Sequence, residues 1–156
     1  MSRASDVRDA VIAAIKEQMP TETVEAFVLP RFTKEELVES GPRIAVRFAR
    51  RDLRVDQGPD ERDVVIHVGV VDVMPPNQGT GSSYRVEEVA AFDAVDALME
   101  QVIALWTPNG PLSRCYMAEH WFVSITQPFV LDEKELKDNN NFVLLVQLTY
   151  RDSIDE

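Results

Sequence analysis

The chain has 156 residues, of which 45% are hydrophobic and 28% are charged, values typical of one folded domain rather than of a disordered or membrane protein. Its 27 acidic and 16 basic residues give a formal net charge of −11, which argues against nucleic acid as the main ligand because phosphate binding requires a cationic surface. No apolar run approaches the roughly 18 residues that cross a bilayer, the first residues lack a signal-peptide pattern, and the single Cys115 has no internal disulfide partner. We therefore expect a protein of the cytoplasm that binds neither membranes nor, stably, nucleic acid.

The first third of the chain predicts two helices and two strands. Apolar residues recur at one-turn spacing over residues 5–19, which predicts an amphipathic helix. The run 24–29 predicts a short strand, and the capping-box spacing in residues 33–38 predicts a helix of one or two turns. Residues 44–48 alternate apolar and polar side chains, so they predict a half-buried strand.

The middle of the chain predicts a central strand and a long helix. Residues 64–71 are apolar on nearly both faces, which is typical of a strand inside a sheet. The polar stretch 50–62 predicts a hairpin connection, and residues 74–85 predict a mobile loop. The predicted helix covers residues 86–106, and its apolar stripe consists of Val89, Phe92, Val95, Leu98, Met99, Val102 and Trp106.

The last third predicts two more strands, at residues 120–130 and 142–151, joined by the polar segment 131–141. We expect a single α+β domain over residues 1–152 and a frayed tail at 153–156. Its expected architecture is a two-layer sandwich, with two main helices packed on one face of a mostly antiparallel sheet of about five strands. The opposite sheet face is more apolar than a free face usually is, which favours a partner there. The residues that make it so are Val65, Val71, Val143 and Leu145.

Few residues suggest chemistry. Cys115, His67 and His120 could form a thiol nucleophile with a histidine base, but the sequence places no group that would activate the thiol. Asp93 and its neighbours Asp96 and Glu100 share a helix face, as metal-binding carboxylates do, yet no histidine accompanies them, so a solvated face is the simpler interpretation. We therefore predict no catalytic residue, no cofactor and no metal site.

Five arginines lie within twelve residues, with one acidic residue, Asp52, among them; they are Arg43, Arg47, Arg50, Arg51 and Arg54. One interpretation is a hairpin in which arginines pair across strands with Glu61 and Asp63. The other is a basic patch that docks on an acidic patch of a neighbouring copy, such as the helix face of Asp93, Asp96 and Glu100. Head-to-tail contacts of that kind close into rings. The interface hypothesis therefore comprises the five arginines, the three helix carboxylates, and Val143 and Leu145 on the outer sheet face.

The order of these features resembles that of tail-terminator and tail-completion proteins, which are short head-tail joining proteins of tailed phages. The resemblance includes the N-terminal helix, Pro30-Arg31-Phe32 with Glu35-Glu36-Leu37 before a strand, and the segment from Asp63 to Val70. It continues through the long helix with Leu98, Val102 and Ile103, through Trp121, and into the closing Leu148-Thr149-Tyr150-Arg151. It covers nearly the whole chain, and the long polar loop at 74–85 departs from it.

The resemblance implies a structural virion protein with no catalytic residues. Such proteins form a ring, typically a hexamer, that caps the tail tube and offers a surface for head attachment. The implied partners are further copies of the chain, the tail-tube protein and head-completion proteins, first in the host cytoplasm and then in the virion tail. Two alternatives stay open: a monomeric adaptor or regulatory binding module of the same fold, and an enzyme that uses Cys115.

Overall fold

The computed structural model describes residues 4–27, 41–53, 62–73, 82–129 and 141–152. Two helices and five strands lie in these ranges, which makes the chain an α+β protein, as the sequence predicts. In chain order they are α1 (Ala4–Gln18), β1 (Thr23–Ala26), β2 (Arg43–Leu53), β3 (Arg62–Val73), α2 (Ser82–Ala104), β4 (His120–Phe129) and β5 (Asn141–Asp152). The predicted helix at 33–38, the tail at 153–156 and most of the predicted loops lie outside the described residues.

The five strands form one mixed sheet in the order β1-β2-β3-β5-β4. Strand β3 lies at the centre, which confirms the prediction made from its two apolar faces. The pairs β2–β3, β3–β5 and β4–β5 are antiparallel, whereas β1 runs parallel to β2. The sequence prediction missed this parallel pair. Residues 27–42, which join its strands, are long enough for the crossover that parallel pairing requires.

Both helices and one face of the sheet contribute to the main hydrophobic core. Helix α1 buries Val7, Val11 and Ile15, which recur every four residues and so lie on one side of the helix. Helix α2 contributes Val95, Leu98, Met99 and Val102, and the sheet contributes alternate residues of β2, β3 and β5, among them Ile44, Val46, Val64, Ile66, Val68, Val70, Leu144, Val146, Leu148 and Tyr150. Within the described ranges, no helix is long and apolar enough to cross a membrane.

Helix α2 differs from its prediction at both ends. It begins at Ser82, inside the segment predicted as a loop, and it ends at Ala104 because the next two amides form tighter turn bonds to the carbonyls of Val102 and Ile103. Val89, predicted to lie in the buried stripe, is 58% exposed. At 3.6 residues per turn, Val89 points roughly 120° away from the buried Val95, so the prediction drew the stripe too wide.

The outer face of the sheet, on the side away from the main core, divides into an apolar and a polar half. The apolar half is a small cluster of Ala45, Val71 and Val143 with Phe27 packed against it. Val143 and Leu145 are only 3% and 7% exposed in a single copy of the chain. They are therefore covered without a second copy, and the interface hypothesis rests on its charged members rather than on these two.

Candidate interaction surfaces

The polar half of the outer face is organised around a row of three side chains on the central strands. Arg47 of β2 lies directly opposite His67 of β3, which lies opposite Gln147 of β5. A β-bulge between Phe48 and Arg50 interrupts the alternation of β2 and turns Arg50 to this same face, opposite Val65. Without the bulge, strict alternation would have directed Arg50 to the helix side.

Hydrogen bonds join this row into a network. Arg47 Nη2 donates to His67 Nδ1 at 3.0 Å. Because a guanidinium carries only donors, Nδ1 must hold a lone pair, and the proton of the neutral ring must be on Nε2. That Nε2–H donates to Gln147 Oε1 at 3.4 Å, and Arg50 Nη1 donates to the same oxygen at 3.2 Å. Arg50 Nε in turn donates to the Asp52 carboxylate at 3.2 Å.

The electrostatics of the network favour a neutral His67. Burial lowers the pKa of His67 below its ordinary value of 6.5, and the cationic Arg47 and Arg50 beside the ring lower it further, while the hydrogen bond to Gln147 acts in the opposite direction. The lone pair on Nδ1 is thereby kept available to Arg47. The network is held on three adjacent strands, which makes its geometry rigid.

A second polar group on the outer face is an ion pair with a buried carboxylate and a half-buried guanidinium. Arg151 of β5 donates from Nε and Nη2 to the two oxygens of Asp63 on β3, at 2.9 and 3.3 Å. Asp63 is buried, and the Arg151 guanidinium also lies 5.2 Å from the ring centroid of Trp121 on β4. One interpretation of the sequence paired Asp63 with the arginines of β2. In the structure, the arginine that donates two hydrogen bonds to Asp63 is Arg151 of β5.

The remaining candidate arginines are separated by the sheet. Arg43 pairs with Glu25 of β1 at 3.1 Å. Arg51 lies on the helix side of the sheet, with its guanidinium 5.4 Å from the ring centroid of Phe48. Arg54 lies outside the described residues. The exposed end of β2 thus presents Arg50 on the outer face and Arg51 and Leu53 on the opposite face. These three residues at the end of the strand form the arginine surface, and Leu53 is 65% exposed.

Helix α2 presents a stripe to solvent on the side away from the core. At 3.6 residues per turn its members fall within about 80° of one another around the helix axis. Two exposed valines occupy its N-terminal part and three carboxylates continue it; this acidic stripe consists of Val86, Val89, Asp93, Asp96 and Glu100. In the described part of the chain, none of the three carboxylates forms a salt bridge. The sequence predicted burial for Val89 and gave no role to Val86, because a valine on an apolar stripe is normally a buried residue.

Cys115 and the two histidines make separate contacts. The exposed Cys115 thiol donates to the carbonyl of Pro111 at 3.2 Å. His120 is buried, donates from Nδ1 to the Ala118 carbonyl at 2.8 Å, and has Nε2 4.0 Å from Asp152. His67 belongs to the outer-face network. The geometry therefore gives no support to a thiol nucleophile activated by a histidine.

An open groove of about 400 Å³ lies beside the edge strand β4, where the sequence predicted no site. It is lined by the turn after α2 and by β4, through Trp106, Thr107, Pro108, Asn109, Ser113, Arg114, Phe122, Ser124 and Ile125. Among the residues that the structure describes, no three of the histidine, cysteine and acidic side chains group closely enough to hold a metal ion.

Comparison with known proteins assigns no family. No model of a known protein family matches the chain, and neither does any curated protein sequence.

Proposed function

We propose that this chain is a structural assembly protein, a tail-terminator-like ring subunit of a phage or prophage that caps the tail tube and provides the surface for head attachment. The observation that carries the proposal is the separation of charge on one copy. The acidic stripe lies on α2 and the arginine surface on the end of β2, and no salt bridge joins them within the described residues.

The two surfaces complement each other in chemistry. Each pairs charge with exposed apolar area: valines with carboxylates on α2, and a leucine with guanidiniums on β2. Arginine suits such contacts because its planar fork binds carboxylates with two hydrogen bonds. A stripe and a patch on different elements of one copy generate a head-to-tail contact, and such contacts form rings when the rotation closes.

The fold supports the proposal in a second way. Both helices share a single core with one sheet face, and we propose a two-layer sandwich on this ground. In such a sandwich the outward faces of the helices are free to contact neighbouring copies. The tail-tube and head-completion proteins would then meet the ring at its ends, while the acidic stripe is used between copies.

Charge reversal tests the contact between copies. We expect the wild-type chain to associate with rising concentration in sedimentation equilibrium. Two variants should each remain monomeric: one with Asp93, Asp96 and Glu100 all changed to Lys, and one with Arg50→Glu and Arg51→Glu. Mixed in equal amounts they should associate again, because the intact arginine surface of the first variant can then bind the intact acidic stripe of the second. Association of the wild type but not of the mixture would place the contact elsewhere.

The genetic context tests the role in a tail. We expect the neighbouring genes to encode capsid, portal or tail-tube proteins. A wild-type chain that stays monomeric at all concentrations, encoded among unrelated genes, would favour the monomeric adaptor instead.

A further inference from the structure

The outer-face network leaves two NH₂ groups, one of a guanidinium and one of an amide, without partners among the described residues. Gln147 Oε1 receives N–H donors from both His67 and Arg50, which fixes the amide so that its oxygen faces the network and its Nε2–H₂ group faces away. Arg50 uses Nε for Asp52 and Nη1 for Gln147, which leaves Nη2. The two remaining groups, Arg50 Nη2 and Gln147 Nε2, form the donor pair.

The donor pair is accessible and held in place. The Arg50 side chain is 51% exposed, yet two hydrogen bonds to other side chains restrain it. Gln147 is restrained from two sides, since Arg47 holds His67 and His67 holds Gln147. Restrained donors lose less conformational entropy on binding than free ones do. The bulge in β2 is what brings Arg50 to this face.

The chemistry of the donor pair defines its ligand. Two N–H₂ groups, one of them cationic, match the two oxygens of a carboxylate. A nucleic-acid phosphate is a poor alternative for a chain of net charge −11. Among the carboxylates that form no salt bridge in the described part of the chain, Asp93, Asp96 and Glu100 lie together along one face of α2.

We propose that Arg50 and Gln147 together bind one carboxylate from the acidic stripe of a neighbouring copy, and that His67 is the positioning residue that orients Gln147 for this contact. The inference rests on the proposed assembly and assigns to it a receiving site that includes β5 as well as β2. Charge complementarity selects a second copy as the partner.

The variant Gln147→Glu tests the donor pair with little change of shape. A glutamate still accepts from His67 and Arg50, but it replaces the outward amino group by an oxygen that repels a carboxylate. We expect association in sedimentation equilibrium to weaken at least tenfold, with the melting temperature unchanged. The matched control is Gln18→Glu on α1, an exposed position with the same change of charge, which should associate like the wild type. Arg50→Ala, at an exposed side chain, should weaken association similarly.

A combined variant identifies the partner group. With Asp93→Asn, Asp96→Asn and Glu100→Gln in place, the further change Gln147→Glu should no longer weaken the residual association, because its repulsive partner is gone. If the wild type associates and Gln147→Glu associates equally well, the donor pair is overturned while the assembly stands. If Gln147→Glu weakens association to the same degree with and without the stripe carboxylates, the stripe is not its partner and the inference fails. A wild-type chain that never associates overturns the assembly and the contact together.

Discussion

The indole N–H of Trp106 donates a hydrogen bond of 2.6 Å to the phenol oxygen of Tyr150, joining the turn after α2 to the strand β5. Both side chains are almost completely buried, and burial raises the pKa of Tyr150, so the phenol stays protonated. The Tyr150 ring also contacts Phe122 of β4, with centroids 5.7 Å apart. The bond therefore lies where helix, sheet and groove meet.

The variant Tyr150→Phe removes the acceptor of this bond and leaves a buried indole N–H without a partner. We expect a loss of about 1–3 kcal/mol in the free energy of unfolding, measured by urea denaturation, because a buried donor loses both water and its hydrogen bond. Tyr116→Phe makes the same chemical change at a side chain that is 69% exposed and should change stability by less than about 0.5 kcal/mol. Equal effects of the two substitutions would mean that the hydrogen bond contributes nothing.

The pair of Asp63 and Arg151 leads to a prediction about buried charge. The variant Asp63→Ala removes the carboxylate that binds the half-buried Arg151 guanidinium. We expect a loss of about 3 kcal/mol in the free energy of unfolding. Asp9→Ala breaks the exposed pair with Arg8, at 3.0 Å, and should cost less than about 1 kcal/mol because solvent screens that pair. Denaturation curves of the two variants that superimpose would contradict the buried-pair interpretation.

The tight turn between Met117 and His120 predicts a stabilising substitution. Ala118 and Glu119 have positive φ angles of 48° and 68°, and Met117 and His120 exchange both backbone hydrogen bonds across them. This is the turn geometry that favours Asn and Gly. Glu119→Gly should have a free energy of unfolding about 1 kcal/mol higher than Glu119→Ala, because the left-handed conformation costs roughly that much for a residue with a Cβ. The control is the same pair of substitutions at Glu22, outside this turn, where Gly should give no gain over Ala in thermal denaturation.

The sequence predicted those parts of the fold that depend on local pattern. The central position of β3 follows from its apolar residues on both faces, and the acidic side of α2 follows from helical spacing. The parallel pairing of β1 depends on how the connection to β2 runs in space, which no local pattern records. The outer-face network depends on register: Arg47 and Gln147 are 100 positions apart, and only their shared partner His67 brings them together. The bulge that turns Arg50 to this face is equally invisible in a sequence that alternates regularly before it.

The network around His67 predicts a pH dependence of stability. Burial disfavours the charged imidazolium, and protonation would also place a cation beside Arg47 and Arg50, so the pKa of His67 is below 6.5 in the folded chain. Between that lowered pKa and 6.5 the unfolded chain binds more protons than the folded chain, so the free energy of unfolding rises with pH through this window and levels off above it. The contribution of His67 to the free energy of unfolding falls as the pH drops below 6.5. Its slope is no steeper than about 1.4 kcal/mol per pH unit, which is the limit for one proton.

Urea denaturation between pH 5 and pH 8 checks this expectation in the wild type and in His67→Gln. The glutamine keeps a side chain that can accept from Arg47 and donate to Gln147 but does not titrate. The difference between the two chains isolates His67, because His120 and every carboxylate are common to both. We expect the wild type to lose stability relative to His67→Gln as the pH falls below 6.5 and the difference to be constant above it. A difference that is flat across the whole range would show that His67 has the same pKa in the folded and unfolded chains, and the arrangement of donors assigned to Arg47, His67 and Gln147 would then be incorrect.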